Sequence, residues 1–183
     1  MRIVAGAWRG RGLAAPPGAA TRPTADRVRQ ALFDMLLHAP WGGRELLEGA
    51  DVLDVFAGTG ALGLEALSRS AAHASFLERD RAALAVLRAN IDACRAGDRA
   101  SVLDADATRP PPGRPCRLIF FDPPYRQGLV QAALPALGRA GWIAPGAVVV
   151  AETARDEEIE LPGTMLADRA HGAARLTVWG GLG

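Results

Sequence analysis

The sequence predicts an α/β fold, a mostly parallel sheet with helices on both faces, and three observations carry that prediction. From residue 51 onward short apolar runs, "DVLDVFAG", "HASFLE", "ASVLDAD", "CRLIFFD" and "GAVVVAE", alternate with segments of helical period. The first run leads through Gly58, Gly60 and Gly63, spaced G-x-G-x-x-G, into a helix. Hydrophobic residues make up 49% of the chain, and much of that share is Ala, which suits helices packed closely on a sheet. With 183 residues the chain has the size of one domain.

The elements follow in order. "MRIVAGAWRGRGLAAPPG" alternates enough for a short hairpin. "TRPTADRVRQALFDMLLHA" reads as a helix, with Thr24 placed to cap it and Asp26 in the first turn, where the helix dipole favours an acid. Val28, Leu32, Met35 and Leu36 share one face, and Arg22, Arg27 and Arg29 lie elsewhere. "WGGRELLEGA" is a connector. Helices are expected in "GALGLEALSRS", in "DRAALAVLRANIDAC", capped by Asp80 with Leu84, Leu87 and Ile91 on one face, and in "QGLVQAALPALGRA", with its internal proline. "TRPPPGRP" is a proline-rich loop, and "TMLADRAHGAARLTVWG" a final hairpin. Residues 1–40 are expected to form a basic N-terminal extension, and 41–183 the main domain.

Charge is distributed unevenly. Residues 1–30 carry six arginines against one acid, Asp26, while the whole chain has a net charge of +1, so the remainder is negative. A basic arm on a nearly neutral body is the result. All 21 basic residues are Arg, a bias that nucleotide composition explains as well as phosphate binding does. Cys94 and Cys116 lack metal-ligand spacing, and the three histidines are dispersed, so no metal site is expected. No apolar run has the length of a membrane span or the pattern of a signal peptide, which makes the cytoplasm the default location and a monomer the default state.

A ligand of an open α/β sheet binds beyond the carboxyl ends of its strands. A dinucleotide would place its pyrophosphate at the glycine loop, and Asp54, four residues ahead of Gly58, would repel it. The carboxylate suits a cationic amino-acid moiety instead. Glu78, at the tip of the second strand, can take ribose hydroxyls, and Asp106, at the end of the third, can accept from an adenine amine, with Asp104 as the nearby rival. Three acids on three successive strand ends favour S-adenosylmethionine, which has an ammonium, a sulfonium, a ribose and an adenine but no phosphate. Phe56 in the loop and Ala107 beside Asp106 complete the expected cofactor set.

The fourth strand ends in "DPPY", Asp122 to Tyr125. An exocyclic amine on a base is a poor nucleophile, because its lone pair is delocalised into the ring. Acceptors that hold its hydrogens, the Asp122 carboxylate and the Pro123 carbonyl, turn that lone pair toward a methyl sulfonium. Pro123 and Pro124 stiffen the loop, and Tyr125 offers a flat face on which a flipped-out base can stack. Catalysis would then rest on orientation and on acceptors matched to developing positive charge.

On "MRIVAGAWRGRGL", "TRPTADRVRQALFDML", "VLDVFAGTGALGLEALSR" and "FFDPPY", in this order, the chain resembles the bacterial RsmD-type methyltransferases over nearly its whole length. The resemblance implies the class I methyltransferase fold, a seven-stranded sheet with antiparallel C-terminal strands. It implies methyl transfer from S-adenosylmethionine to the N2 of one guanine in small-subunit (16S) ribosomal RNA, within an assembled or assembling particle. It further implies that Arg9 and Arg11 contact RNA phosphates and that Arg22 and Thr24 lie near the active-site mouth. His171 stands where the family usually has Tyr, and the end "WGGLG" lacks the usual basic finish.

Three other readings compete. An adenine-N6 methyltransferase would share "DPPY", but 183 residues leave little room for a target-recognition region. A NAD-dependent oxidoreductase would leave "DPPY" unexplained. A non-catalytic RNA-binding protein of the same fold has no need of an intact Asp122–Tyr125.

Overall fold

The computed structural model describes residues 1–15 and 23–183, the side chains of 23–25 excepted. Four helices, α1 (Pro23–His38), α2 (Ala61–Ser68), α3 (Arg81–Ala93) and α4 (Leu129–Arg139), pack on seven strands. The strands are β1 (Asp51–Val55), β2 (His73–Glu78), β3 (Ala100–Asp104), β4 (Cys116–Phe121), β5 (Ile143–Ala154), β6 (Thr164–His171) and β7 (Ala174–Leu182). They form one sheet in the order β3-β2-β1-β4-β5-β7-β6. Pairings from β3 to β5 are parallel, while β7 runs antiparallel to both β5 and β6. The expected seven-stranded sheet with antiparallel C-terminal pairings is therefore present.

Side chains alternate across the sheet with period two. Val52, Leu118, Phe120, Val148 and Val150 join one core, with Leu32, Phe33 and Leu36 of α1, Leu64 and Leu67 of α2, and Leu87 and Ile91 of α3. Leu53, Val55, Ile119, Phe121 and Val149 join the other, with Val130, Leu134 and Leu137 of α4. The nearly continuous apolar strands are the signature of a sheet covered on both sides. Asp80 caps α3 as its position suggests, accepting from the Ala83 N–H at 2.8 Å. Pro135 lies inside α4.

The N-terminal segment differs from a regular hairpin. Arg2 and Gly12 form an isolated antiparallel bridge, and bonds from the Ile3 N–H to the Arg11 carbonyl (2.9 Å), the Gly10 N–H to the Ile3 carbonyl (2.8 Å) and the Leu13 N–H to the Met1 carbonyl (3.0 Å) tie the arms into a short, irregular hairpin. The loop is also held by α2, the helix beneath it. The fully buried Glu65 carboxylate accepts the N–H groups of Val4 at 2.8 Å and Ala5 at 3.0 Å, and also pairs with Arg69 Nε at 2.7 Å. Ser68 accepts from the Trp8 N–H through its hydroxyl and from the Ala7 N–H through its carbonyl. Gly6 is required here: its φ is +80°, and a Cβ would lie 1.9 Å from the Ser68 carbonyl oxygen. Ile3 and Leu13 enter the same core as α1 and the sheet, so residues on both sides of position 40 share one interior.

The helix start corrects one expectation. α1 begins at Pro23, a residue suited to the first helical position, so Thr24 lies inside the first turn and is not its cap. Arg22 falls outside the described residues, as does the Thr24 side chain.

Candidate active site

Strand order reverses between β1 and β4: β2 and β3 continue to one side of β1, and β4 and β5 to the other. The crevice beyond the carboxyl ends of β1 and β4 is the topological switch point, where ligands of such sheets bind. A cleft of about 700 Å³ opens there. Its walls include Asp54, Phe56 and Gly58 from the β1 loop, Asp122 and Tyr125 after β4, and Glu152 of β5.

Register explains why the acids meet. Asp54 pairs with Phe120, and Phe120 with Val150; the last β4 pair is Phe121 with Ala151, so Asp122 leaves the strand end next to Glu152. Asp54 and Glu152 have the parity of Val52 and Val148, on the α1–α2 face, and Asp122 follows directly on the end of β4 and lines the same cleft. Asp54 is 1% exposed, and its Oδ2 accepts the Gly63 N–H at 2.8 Å. Burial pushes its pKa up to about 8; the Gly63 N–H opposes that push, and the Asp122 and Glu78 carboxylates add to it. Loss of hydration around the Asp122 carboxyl, which opens to the cleft and is hemmed in elsewhere, pushes its pKa up as well, and the Glu152 carboxylate adds to this. Tyr125 donates its hydroxyl hydrogen to Glu152 Oε1 at 2.6 Å. Burial and that bond to the acid raise the phenol's pKa.

The loop after β1 turns by way of left-handed residues, Phe56 (φ 62°), Gly58 (φ 54°) and Gly60 (φ 76°). A bulky residue in that region is unusual and marks a loop held by its surroundings. Phe56 is held by Phe121, with ring centroids 6.4 Å apart. The three glycines divide their tasks. A Cβ on Gly58 would meet only the Phe56 carbonyl oxygen, at 4.0 Å, as befits a backbone that a ligand approaches. A Cβ on Gly60 would lie 2.4 Å from Leu87, and one on Gly63 2.3 Å from the Phe76 ring, so both serve close packing.

Glu78, Asp106 and Ala107 lie outside this cleft, toward β2 and β3. Glu78 Oε2 accepts the Gly58 N–H, and Oε1 accepts those of Arg79 and Asp80, each at 2.8 Å. Of the roughly four acceptor sites of a carboxylate, one remains, on Oε2, enough for a single hydroxyl. Asp106 Oδ1 holds the N–H and hydroxyl of Thr108, and Oδ2 holds Arg79 at 2.9 Å. Those bonds to Thr108, with Arg79 beside them, depress its pKa. The Ala107 side chain is buried in the α4-side core.

The arginines of the N-terminal segment separate into two groups. Arg9 is exposed and lines a groove of about 390 Å³ with Arg2, Arg27 and Gln30. Arg11 instead donates to the Ala93 carbonyl at the last turn of α3, where a cation suits the helix dipole. Sequence reasoning passed over Glu152 and Met1 as cleft residues, and it named Arg29 and His171 without placing them there. Among the described residues no group of His, Cys, Asp and Glu could hold a metal, and no helix is long and apolar enough to cross a membrane.

The family model described as "Conserved hypothetical protein 95" matches residues 1–179. The "Ribosomal RNA small subunit methyltransferase D" of Escherichia coli is 43% identical over 155 residues, 84% of this chain and 74% of that protein. The chain belongs to the RsmD-type methyltransferase family. A second member, the protein of the same name from Haemophilus influenzae, is 35% identical over 88% of this chain and 83% of its own length. Solved structures of this type agree. A methyltransferase from Escherichia coli superposes with a TM-score of 0.82 at 37% identity, covering 98% of this chain and 97% of its own. A methylase from Haemophilus influenzae gives 0.80 at 30% identity, covering 100% and 99%.

Proposed function

We propose that this protein is an S-adenosylmethionine-dependent methyltransferase acting on the exocyclic N2 amine of a guanine in 16S ribosomal RNA. The observation that carries the proposal is the meeting, at the β1/β4 switch point, of a buried acid that suits a cation (Asp54) with the Asp122–Tyr125 loop. The sequence relatives named for small-subunit ribosomal RNA methylation support the substrate class. The cytoplasm and an assembled or assembling small subunit are the setting this implies.

The residues present fit the cofactor. Asp54 is a carboxyl without a cationic partner among the described residues, and its raised pKa means that an arriving ammonium would stabilise its ionised form. Gly58 leaves room for close approach, Glu78 retains a site for a ribose hydroxyl, and Asp106 one for an adenine amine. The acids at these strand ends would repel a pyrophosphate. When bound, S-adenosylmethionine supplies a methyl group on a sulfonium, an electrophile needing no activation.

The protein's task is then to present the amine. The Asp122 carboxylate and the Pro123 carbonyl accept its two hydrogens, which takes the lone pair out of conjugation and aims it. Pro123 and Pro124 keep that pair of acceptors in place, so little reorganisation accompanies the reaction. Tyr125, 38% exposed, presents its ring to the base. The methylated amine is cationic and loses its proton to Asp122, whose raised pKa suits it to receive one, or to water. Asp122→Ala should lower methyl transfer to small ribosomal subunits by about 10²-fold or more. Calorimetric affinity for S-adenosylmethionine should stay within a few-fold. Equal loss of both would make Asp122 a cofactor ligand and remove the mechanism.

A further inference from the structure

We infer that Glu152 is the specificity-determining residue of this site, accepting N1–H of the target guanine and so separating guanine from adenine. This deepens the guanine-N2 reading and rests on it. Guanine presents two donors side by side, N1–H and the N2 amine. Adenine presents an amine beside N1, which is an acceptor. A pocket that reads the edge of a flipped base by hydrogen bonds tells them apart by what it places next to the acceptor for the amine.

Register supplies that second position. The register pairs Phe121, the last residue of β4, with Ala151 of β5, so Asp122 leaves the strand end next to Glu152, and both line the cleft. If Asp122 holds the amine, Glu152 is the group beside it. Glu152 Oε1 is engaged by the Tyr125 hydroxyl, and among the described residues no hydrogen bond engages Oε2. Tyr125 thereby fixes the carboxylate and leaves one oxygen for the base. Of the donors elsewhere in the cleft, Arg29 bonds Asp26 and the Arg2 carbonyl through its terminal nitrogen, and the Thr59 hydroxyl faces Met1 Sδ, while Met1 and His171 line the cleft as well. Guanine N1–H would satisfy the carboxylate. Adenine N1 would set a lone pair against it, leaving two acceptors unpaired in a desolvated site. A carboxylate at N1–H also draws electron density toward N2, aiding its attack.

The test uses small subunits reconstituted with guanine or 2-aminopurine at the methylated position. 2-Aminopurine keeps the accepting amine but carries an acceptor at N1. The wild type should prefer guanine by about 10²-fold or more in kcat/KM. Glu152→Gln is nearly isosteric. Its amide oxygen can keep the Tyr125 bond, which turns its NH₂ toward N1, so the preference should shrink by about tenfold or more. Comparing the two enzymes cancels the loss of O6, which both experience. Glu152→Ala should also shrink the preference, with thermal melts establishing that both variants are folded. Tyr125→Phe should lower the rate yet keep the preference within a few-fold. An unchanged preference in folded Glu152→Gln, or a preference lost in Tyr125→Phe alone, overturns the assignment. Wild-type methylation of adenine in place of guanine would overturn the base reading itself, before any variant is made.

Discussion

At Asp54, ligand affinity and fold stability oppose each other. Its folded pKa of about 8 lies above the ordinary 3.8, so the native state holds a proton that the unfolded chain would release. The associated stability is therefore full below pH 4 and falls as pH rises toward 8. Asp54→Asn keeps an acceptor for the Gly63 N–H but cannot ionise. Its melting temperature should exceed the wild type's above pH 8, with the difference closing toward pH 4. Affinity for S-adenosylmethionine should fall by about tenfold or more at pH 8. Parallel melting curves at both pH values would contradict the charge argument. Wild-type binding at pH 7 should also release protons, read as a dependence of calorimetric heat on buffer ionisation. The strand-end acids were legible in the sequence because each precedes a turn signal: Asp54 before the glycines, Asp122 before the prolines. Glu152 was not: it ends the run "GAVVVAE", but no glycine or proline directly follows it, and β5 runs on to Ala154, paired with β7. Only the register places it beside Asp122.

Among the elements, α2 and the loop upon it have the least obvious relation to the sequence. The helix reads as apolar, yet Glu65 within it is fully buried beside Arg29 (5% exposed) and Arg69. Its role depends on partners some sixty residues away in sequence, Val4 and Ala5, which no local pattern announces. Glu65→Ala would leave two amides and Arg69 Nε without their acceptor and take away one of the two acids beside Arg29, a loss of about 3–5 kcal/mol by urea denaturation. Amide exchange at Val4 and Ala5 should accelerate more than at β1. Wild-type protection of those amides would mean that Ser68 and the apolar anchors Ile3 and Leu13 suffice. Since Met1 lines the cleft, loosening this loop should also slow methyl transfer. By contrast, α3 was legible down to its cap, because Asp80 and the spacing of Leu84, Leu87 and Ile91 are local signals. The N-terminal segment was legible as a short hairpin, with one bridge and backbone bonds from Ile3, Gly10 and Leu13 across its arms, but its anchoring to α2 was not.

Across the whole molecule, the alternation of strands and helices made the sheet and its covered faces legible. The division of labour among the N-terminal arginines was not, since it depends on which carbonyls and acids lie beneath each one. Arg2, Arg9 and Arg27 line a groove with Asp26, and under the proposed function this groove is the expected path of the RNA backbone. Arg9→Ala and Arg27→Ala should each reduce the slope of log affinity against log salt for RNA by roughly one. Arg11→Ala should leave the slope unchanged and lower stability instead, because its guanidinium holds the Ala93 carbonyl. An unchanged slope in the first two variants would move the RNA path elsewhere. The measurement that bears most directly on the central claim is methyl transfer from labelled S-adenosylmethionine to small subunits lacking the modification. The labelled nucleoside would be identified by mass spectrometry. N2-methylguanosine is the predicted product, lost with Asp122→Ala. N6-methyladenosine, or a subunit left unlabelled by protein that binds the cofactor, would contradict the account.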